Sequence, residues 1–396
     1  RPMFSNFPTI GVNKMGSIVF NKVDASVDEQ VVASPSEITR EVSEKESADS
    51  KSERQEKVFS GINKASKFLD VFALSWVTPL LMMAAGDSPK RNLPLLGRRL
   101  VVPIVAILTF LAAWAVLAPQ VKTSLGAIPG PAQVWEQAVV LHKDHLQEKQ
   151  KAGQFYERQA ARNDALIAAG REGDVSRVSY TGKQTFYQQI WTSLQTVFFG
   201  FFLAVVIAAP LGIVMGMSST MNAAFNPLIQ IFKPVSPLAW LPIVTMIVSA
   251  TVATDSGISK SFLTSAITVT LCSLWPTLIN TALGVASVDK DLVNVGKVLK
   301  LKPHTQITKL ILPSALPLIF TGMRLSLGVG WMVLIAAEML AQNPGLGKFV
   351  WDEFQNGSSQ SLAKIIVAVL TIGIIGFLLD RVMYALQTMF THTSTR

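Results

Sequence analysis

Few residues of this 396-residue chain have a type and spacing that could do chemistry. His142, Asp144, His145 and Glu148 recur at steps that put side chains on one helix face, where imidazoles and carboxylates could hold zinc. They lie in a stretch dense with both signs of charge, which produces such spacings by chance, so no metal ligand is expected. Gly345-Leu346-Gly347-Lys348 is the nearest approach to a phosphate-cradling loop, and its first glycine is misplaced for Gly-x-x-x-x-Gly-Lys-Ser/Thr. No catalytic residue, nucleotide hydrolysis or bound cofactor is therefore expected in this chain, which reads as a non-enzyme. Arg324 and Glu338 are of another kind, because they interrupt a run that is otherwise apolar. Ionisable groups in such places face the interior of a helix bundle and serve structure or function. Arg324 suits pairing within the bundle or snorkelling to lipid phosphate. Glu338, near the other end, suits capping a helix terminus or pairing with a basic neighbour.

The elements that must carry these residues are apolar and long. Hydrophobic residues make up 49% of the chain and charged ones 15%, with the charges gathered outside a few apolar blocks. Runs of about eighteen apolar residues read as membrane-spanning helices. Such spans are expected at 100–118, 190–217, 227–249, 262–285, 318–340 and 365–386. Pro234, Pro237 and Pro242 break the third and Pro276 kinks the fourth, which is tolerated where neighbouring helices or a cavity take up the freed backbone groups. The net charge of +9 does not point to nucleic acid, because the basic residues flank apolar spans. Lys90, Arg91, Arg98 and Arg99 precede the first span and hold that end in the cytoplasm, against membrane lipid. Cys272, the one cysteine, offers neither a disulfide framework nor a metal cluster.

Outside the spans, residues 24–57 are rich in Ser, Glu and Lys, residues 1–20 are mildly apolar, and 1–57 as a whole reads as a largely disordered extension. Residues 58–99 read as an amphipathic interfacial helix, with Phe59, Ile62, Phe68, Leu69, Phe72 and Trp76 on one stripe, followed by a basic linker. Pro79 is expected to interrupt that helix, and a first span over 71–86 is the competing reading. Residues 119–185 read as an external insertion, charge-mixed over 136–177 with helical patterning in part. The core is 186–390, and 391–396 is a tail. Within the core stands a polar island, 288–317, where Lys290, Lys297, Lys300, Lys302 and Lys309 outnumber Asp289 and Asp291. Val293, Lys297 and Lys300 keep helical spacing and Pro303 is expected to break that helix. A second short piece over 306–312 is expected to stop at Pro313. Six crossings from an inner N-terminus place the island, Asp380 and Arg381 inside and the loops 251–260 and 341–360 outside. The most basic short loop then lies on the cytoplasmic side.

The island resembles the coupling loop of permease subunits of bacterial ATP-driven (ABC) importers. In that family Glu-Ala-Ala-x-x-x-Gly is followed by Ile-x-Leu-Pro; here the frame falls on Asn294-Val295-Gly296, Lys297, Lys300, then Leu310-Ile311-Leu312-Pro313. Asn294 replaces the glutamate and Lys300 the glycine. The following segment, GMRLSLGVGWMVLIAAEML over 322–340, is similar to the nitrate/taurine/sulfonate permease group, closest to its nitrate and bicarbonate branch. The resemblance covers roughly 100–386 apart from the insertion. It implies a type I importer permease fold in the inner membrane, working as a dimer with a second permease copy. It implies ATPase subunits, holding ATP and magnesium, docked on the coupling residues, and a periplasmic or lipid-anchored substrate-binding protein outside. Nitrate or nitrite is the implied cargo, with bicarbonate, cyanate, taurine or alkyl sulfonates as alternatives, and a secondary transporter or channel as the rival class. The expected pathway uses hydroxyl and small residues, Ser236, Ser249, Thr268, Ser273, Ser326, Gly328 and Gly330, with Arg324. Pro234, Pro237, Pro242 and Glu338 are expected to shape or gate it.

Overall fold

A computed structural model describes residues 58–62, 66, 76–87, 89–123, 126–253, 257 and 259–391. The chain divides into a unit of residues 1–58 and a unit of residues 59–396, and the architecture below is that of the second. The expected disorder of 1–57, the stripe residues Phe68, Leu69 and Phe72, and the tail beyond Thr391 fall outside the described residues. The helices are α1 (Val77–Ala84), α2 (Pro89–Leu96), α3 (Val102–Leu117), α4 (Pro131–Ala168), α5 (Phe186–Met217), α6 (Ser219–Phe232), α7 (Pro237–Thr251), α8 (Lys260–Ala286), α9 (Lys290–Val298), α10 (Pro303–Gln306), α11 (Leu312–Ala341), α12 (Leu346–Asn356) and α13 (Ser359–Phe390). A two-residue hairpin, β1 (Lys122–Thr123) with β2 (Gly126–Ala127), joins α3 to the segment before α4. Pro79 does not interrupt α1. It sits in the first turn, where a backbone N–H has no intrahelical acceptor to lose.

Small residues decide how closely the three central helices approach. On α5, Gly200, Ala204, Ala208, Gly212 and Gly216 recur every four residues, a stripe that lets backbones come together in an apolar solvent. A β-carbon at Gly212 would stand 2.7 Å from Thr281 Cβ, and one at Gly216 would stand 2.6 Å from the Ala282 carbonyl oxygen, both on α8. Along α11, Gly322, Ser326 and Gly330 repeat the device against the other side of α8. A β-carbon at Gly322 would meet Asn280 Cβ at 2.7 Å, and one at Gly330 would meet Val269 Cγ1 at 3.3 Å. Pro276 removes a rung from the α8 ladder. Beside it, the Thr277 N–H donates to Ser326 Oγ at 2.9 Å and the two hydroxyls bond at 2.7 Å, so α11 satisfies what the proline disturbs.

The same contacts set direction. Towards the middle of both helices Thr270 Oγ1 donates to the Gly200 carbonyl at 3.0 Å, and near their C-terminal ends Gly216 lies against Ala282. α5 and α8 are therefore parallel, and the chain between them must return across the bundle. α6 and α7, bent by 99° at a short break, make that return. α11 runs antiparallel to α8, with Gly284 beside Ala315 and Gly330 beside Ser273. α13 runs antiparallel to α11, with Trp331 Nε1 donating to the Ile372 carbonyl at 3.0 Å and Gln387 Nε2 to that of Pro317 at 3.2 Å. Five helical stretches are individually long and apolar enough to cross: Lys90–Gln120, Phe186–Met217, Lys260–Ala286, Pro303–Ala341 and Gln360–Phe390. The bent pair supplies the sixth crossing. The third span, expected over 227–249 with breaks at Pro234, Pro237 and Pro242, is two helices over 219–251 that break once, at 233–236. Pro227 and Pro242 lie within them, while Ser236, extended before Pro237, N-caps the second.

Two further expectations change at the inner ends of the spans. π-helical turns at Gly97–Val101 and Ile307–Ile311 stand just before Pro103 and Pro313. A proline ring clashes with the carbonyl four residues back, here Arg99 and Lys309, and the wider π turn moves that carbonyl aside. Helix therefore continues through Pro313, and 303–341 is one 39-residue rod rather than a short piece and a span. Nor does Pro303 break a helix. It opens α10 at a position that needs no N–H. α9 has already ended, with Leu301 N–H donating to Gly296 and Lys300 N–H to Lys297, while Lys300 takes a φ of 50°.

Candidate functional site

At the end of the bundle where α8 finishes, α9 is folded back on the base of the 303–341 rod. Asp289 caps it, accepting from the Asp291 N–H at 2.9 Å. Gly296 makes the contact: a β-carbon there would stand 2.9 Å from Leu310 Cδ1, and Gln306 Nε2 donates to the Val293 carbonyl at 3.3 Å. This seating turns the remaining apolar residues outward. Val295 is 51% exposed, Val298 81% and Leu299 64%, among exposed Asn294, Lys297 and Lys300. Leu310 and Leu312 are half-buried at the base of the rod and Pro313 is exposed.

The break between α6 and α7 holds Lys233, Pro234, Val235 and Ser236. Its depth is set by aromatic packing. Phe232 stacks on Trp275 of α8 at 6.4 Å between ring centroids and lies 5.9 Å from the Trp240 ring. Trp275 stands eleven residues before the inner end of α8, about 16 Å along a helix. Lys233 therefore lies part-way along the bundle rather than at its end, and it is exposed. Sequence reasoning passed over it, although it lies within the span expected at 227–249.

Arg324 and Glu338 are both engaged. The Arg324 guanidinium forks onto Asp380 of α13, with the Nη2–Oδ2 bond at 2.7 Å, and lies 5.3 Å over the Tyr384 ring. Arg381 reaches the same carboxylate at 3.4 Å. Glu338 is fully buried at the outer end. Its Oε2 accepts from Ser193 Oγ of α5 at 2.8 Å and from the Gly347 N–H at 2.9 Å. A carboxylate at the α12 N-terminus meets free backbone donors and the positive end of the helix dipole. Leu346 N–H donates to Ser193 Oγ at 2.8 Å, and Asn343 Nδ2 to Thr196 Oγ1 at 3.1 Å. α5, α11 and α12 are thereby tied in one buried polar knot.

The other expected pathway residues are scattered. Thr268 and Ser273 are buried in the α8 seam, their hydroxyls donating to the Thr264 and Val269 carbonyls at 2.8 and 2.7 Å. Ser326 is committed to Thr277, and Gly330 packs on Ser273. Gly328 faces open space on the exposed side of α11. Ser236 and Ser249 are exposed on α7, at the break and towards its far end. Pro234 and Pro242 are exposed and Pro237 half-buried. Only Ser236, Pro234 and Pro237 of this set share a place, and that place is the break.

At the opposite end of the bundle, the expected loop 341–360 is largely the helix α12, and the expected insertion is built on α4, 38 residues and about 57 Å long. Residues 175–185 run back along α4. Glu148 accepts from Tyr180 Oη at 2.7 Å, from the Lys183 N–H at 3.1 Å and from Lys151 at 3.2 Å. The Tyr180 bond, then Lys151, holds the Glu148 carboxyl below its ordinary range, and the same bond pushes the Tyr180 phenol up. His142 bonds Tyr187 at 3.1 Å and His145 bonds Thr185 at 2.9 Å. Among the described residues no group of three side chains is placed to hold a metal ion. α4, α12 and residues 183–186 wall an outward cavity of about 630 Å³ whose lining includes four carboxylates, Asp144, Glu148, Asp352 and Glu353.

Residues 200–391 match the family described as binding-protein-dependent transport system inner membrane component. The nitrate import permease protein NrtB of Synechococcus elongatus is 37% identical over 193 residues, spanning 49% of this chain and 66% of that protein. NrtB of Synechocystis sp. is 38% identical over 201 residues, 51% of this chain and 68% of that one. The bicarbonate transport system permease protein CmpB of Synechococcus elongatus is 38% identical over 206 residues, 52% of this chain and 69% of that one. Among solved structures, an inward-facing MetNI methionine ABC transporter chain aligns with a TM-score of 0.46 at 15% identity, covering 52% of this chain and 96% of that one, a likeness too loose to bear on function.

Proposed function

Because this chain is a member of the binding-protein-dependent transport system inner membrane components, we propose that it is the permease subunit of an ATP-driven importer, passing nitrate or nitrite across the inner membrane. A second permease copy completes the pore. A substrate-binding protein delivers cargo at the outer face, around α12 and α4. Two ATPase subunits, which hold ATP and magnesium, dock inside on α9. ATP binding draws the two α9 elbows together, the bundles rock as rigid bodies to face outward, and hydrolysis resets them. Both termini lie in the cytoplasm in this arrangement.

The observation that carries this reading is α9 itself. A short helix seated through Gly296 on the base of a span, with Val295, Val298 and Leu299 turned to solvent among lysines, offers an apolar centre with a polar rim to a protein partner. The cargo rests on the relatives whose names state nitrate import. Bicarbonate is the second reading, because CmpB matches at the same 38% identity as NrtB of Synechocystis. The test is uptake of isotope-labelled nitrate and bicarbonate into proteoliposomes carrying the complete complex. ATP-dependent nitrate uptake is expected. Gly296→Glu should abolish it and release the ATPase subunits in a pull-down. Uptake that persists without ATP would sink the importer reading, and uptake of bicarbonate alone would replace the cargo.

A further inference from the structure

The elements that build the middle of the bundle hold one unanswered charge. α5, α6, α7 and α8 contain no aspartate or glutamate. Their basic residues are Lys260, at the outer start of α8 with its ammonium 3.4 Å from the Ser249 carbonyl, and Lys233 at the break between α6 and α7. The carboxylates on neighbouring spans are taken. Asp380 is held by Arg324 and Arg381, and Glu338 by Ser193 and Gly347. Asp255, four residues after α7 in sequence, lies outside the described residues. The Lys233 backbone N–H donates to the Ile229 carbonyl at 2.9 Å, and its ammonium makes no ion pair or hydrogen bond among the described residues. Its depth beside Trp275 is more than a four-carbon stem bridges to either interface.

A lone ammonium at that depth is costly against lipid and tolerable where it faces water and a passing counter-charge. The surroundings of the break favour the second. The Trp240 indole N–H is buried beside it with no acceptor. Ser236 spends its hydroxyl oxygen on the Leu238 N–H, so the first turn of α7 adds backbone donors rather than acceptors. We propose that Lys233, presented at the broken helix halfway through the bundle, is the charge that the translocated anion meets within the membrane. This rests on the importer reading and adds to it a place and a chemical class: a small oxyanion of single negative charge. One exposed, flexible cation unsupported by a second gives attraction without a trap, which transport needs because the cargo must leave. Arg324, pinned to Asp380, cannot serve in the same way.

The test uses the complete complex in proteoliposomes, with labelled nitrate as the probe and labelled bicarbonate as the comparison. Lys233→Gln should lower nitrate uptake roughly tenfold or more while binding-protein-stimulated ATP hydrolysis stays within about twofold of the parent. Lys233→Arg should keep most of the uptake. In a Cys272→Ser background, Lys233→Cys should be inactive until modified with ethylammonium methanethiosulfonate. The sulfonate-bearing analogue should not restore it. Wild-type uptake by Lys233→Gln, equal responses to the two reagents, or loss of ATP hydrolysis in step with uptake would each overturn the proposal. A parent complex that moves no anion with ATP would fail differently, by removing the importer reading itself.

Discussion

At the scale of single residues, what a side chain does is set by where the backbone has to turn. Among the described residues Lys300 is one of two non-glycine residues with a positive φ, and it holds the left-handed position that ends α9. A β-carbon there costs about 1 kcal/mol relative to glycine. Lys300→Gly is therefore expected to raise the stability of the purified protein by about that amount, read as a higher Tm, and an unchanged or lower Tm would refute it. The family pattern has glycine at this point, and the resemblance pointed there, yet helical spacing alone placed Lys300 inside the helix. Spacing reports which residues could share a face, whereas the sign of φ depends on how the chain must turn to start α10. Ser326 illustrates the same limit. Its hydroxyl was legible as a polar group in a span, but its partner, a backbone donor next to Pro276, is visible only once α8 and α11 are side by side.

At the scale of elements, the spacing of small residues matters more than hydrophobicity, because all the spans are apolar. Gly212→Leu should force α5 from α8, costing about 1–3 kcal/mol in overpacking and reducing the yield of monodisperse protein. Gly328→Ala is the control. Nothing lies within 4 Å of a β-carbon there, and loss of a helix-interior glycine should gain up to about 1 kcal/mol. Size-exclusion profiles of the two variants decide the matter, and equal behaviour would refute the stripe. The lengths of the spans were readable in the sequence because apolar run length is a local property. Their proline punctuation was not, since proline is harmless at the first position of α10, absorbed by a π turn before Pro313, and decisive only at Pro237. Lys233 fell within the span expected at 227–249 yet was passed over; what the sequence did not carry is the stacking of Phe232 on Trp275 that fixes its place beside α8.

At the scale of the whole molecule, the parallel run of α5 and α8 makes the number of crossings even. Impermeant maleimide added outside intact cells should label Ala253→Cys and Asn356→Cys in a Cys272→Ser background, and should spare Ser219→Cys and Lys302→Cys. Protection of Ala253→Cys alongside Ser219→Cys would make the bent pair re-entrant and reverse every later element. The 303–341 rod then acquires a mechanical meaning. It is about 58 Å long, pressed near its lower end by Leu310 against Gly296, and bound near its upper end through Glu338 to the first turn of α12. A helix shortens very little under load, so it behaves as a pushrod between floor and roof. Under the proposed importer reading, force taken up at the floor reaches the roof through a single stiff member, so the two ends move together.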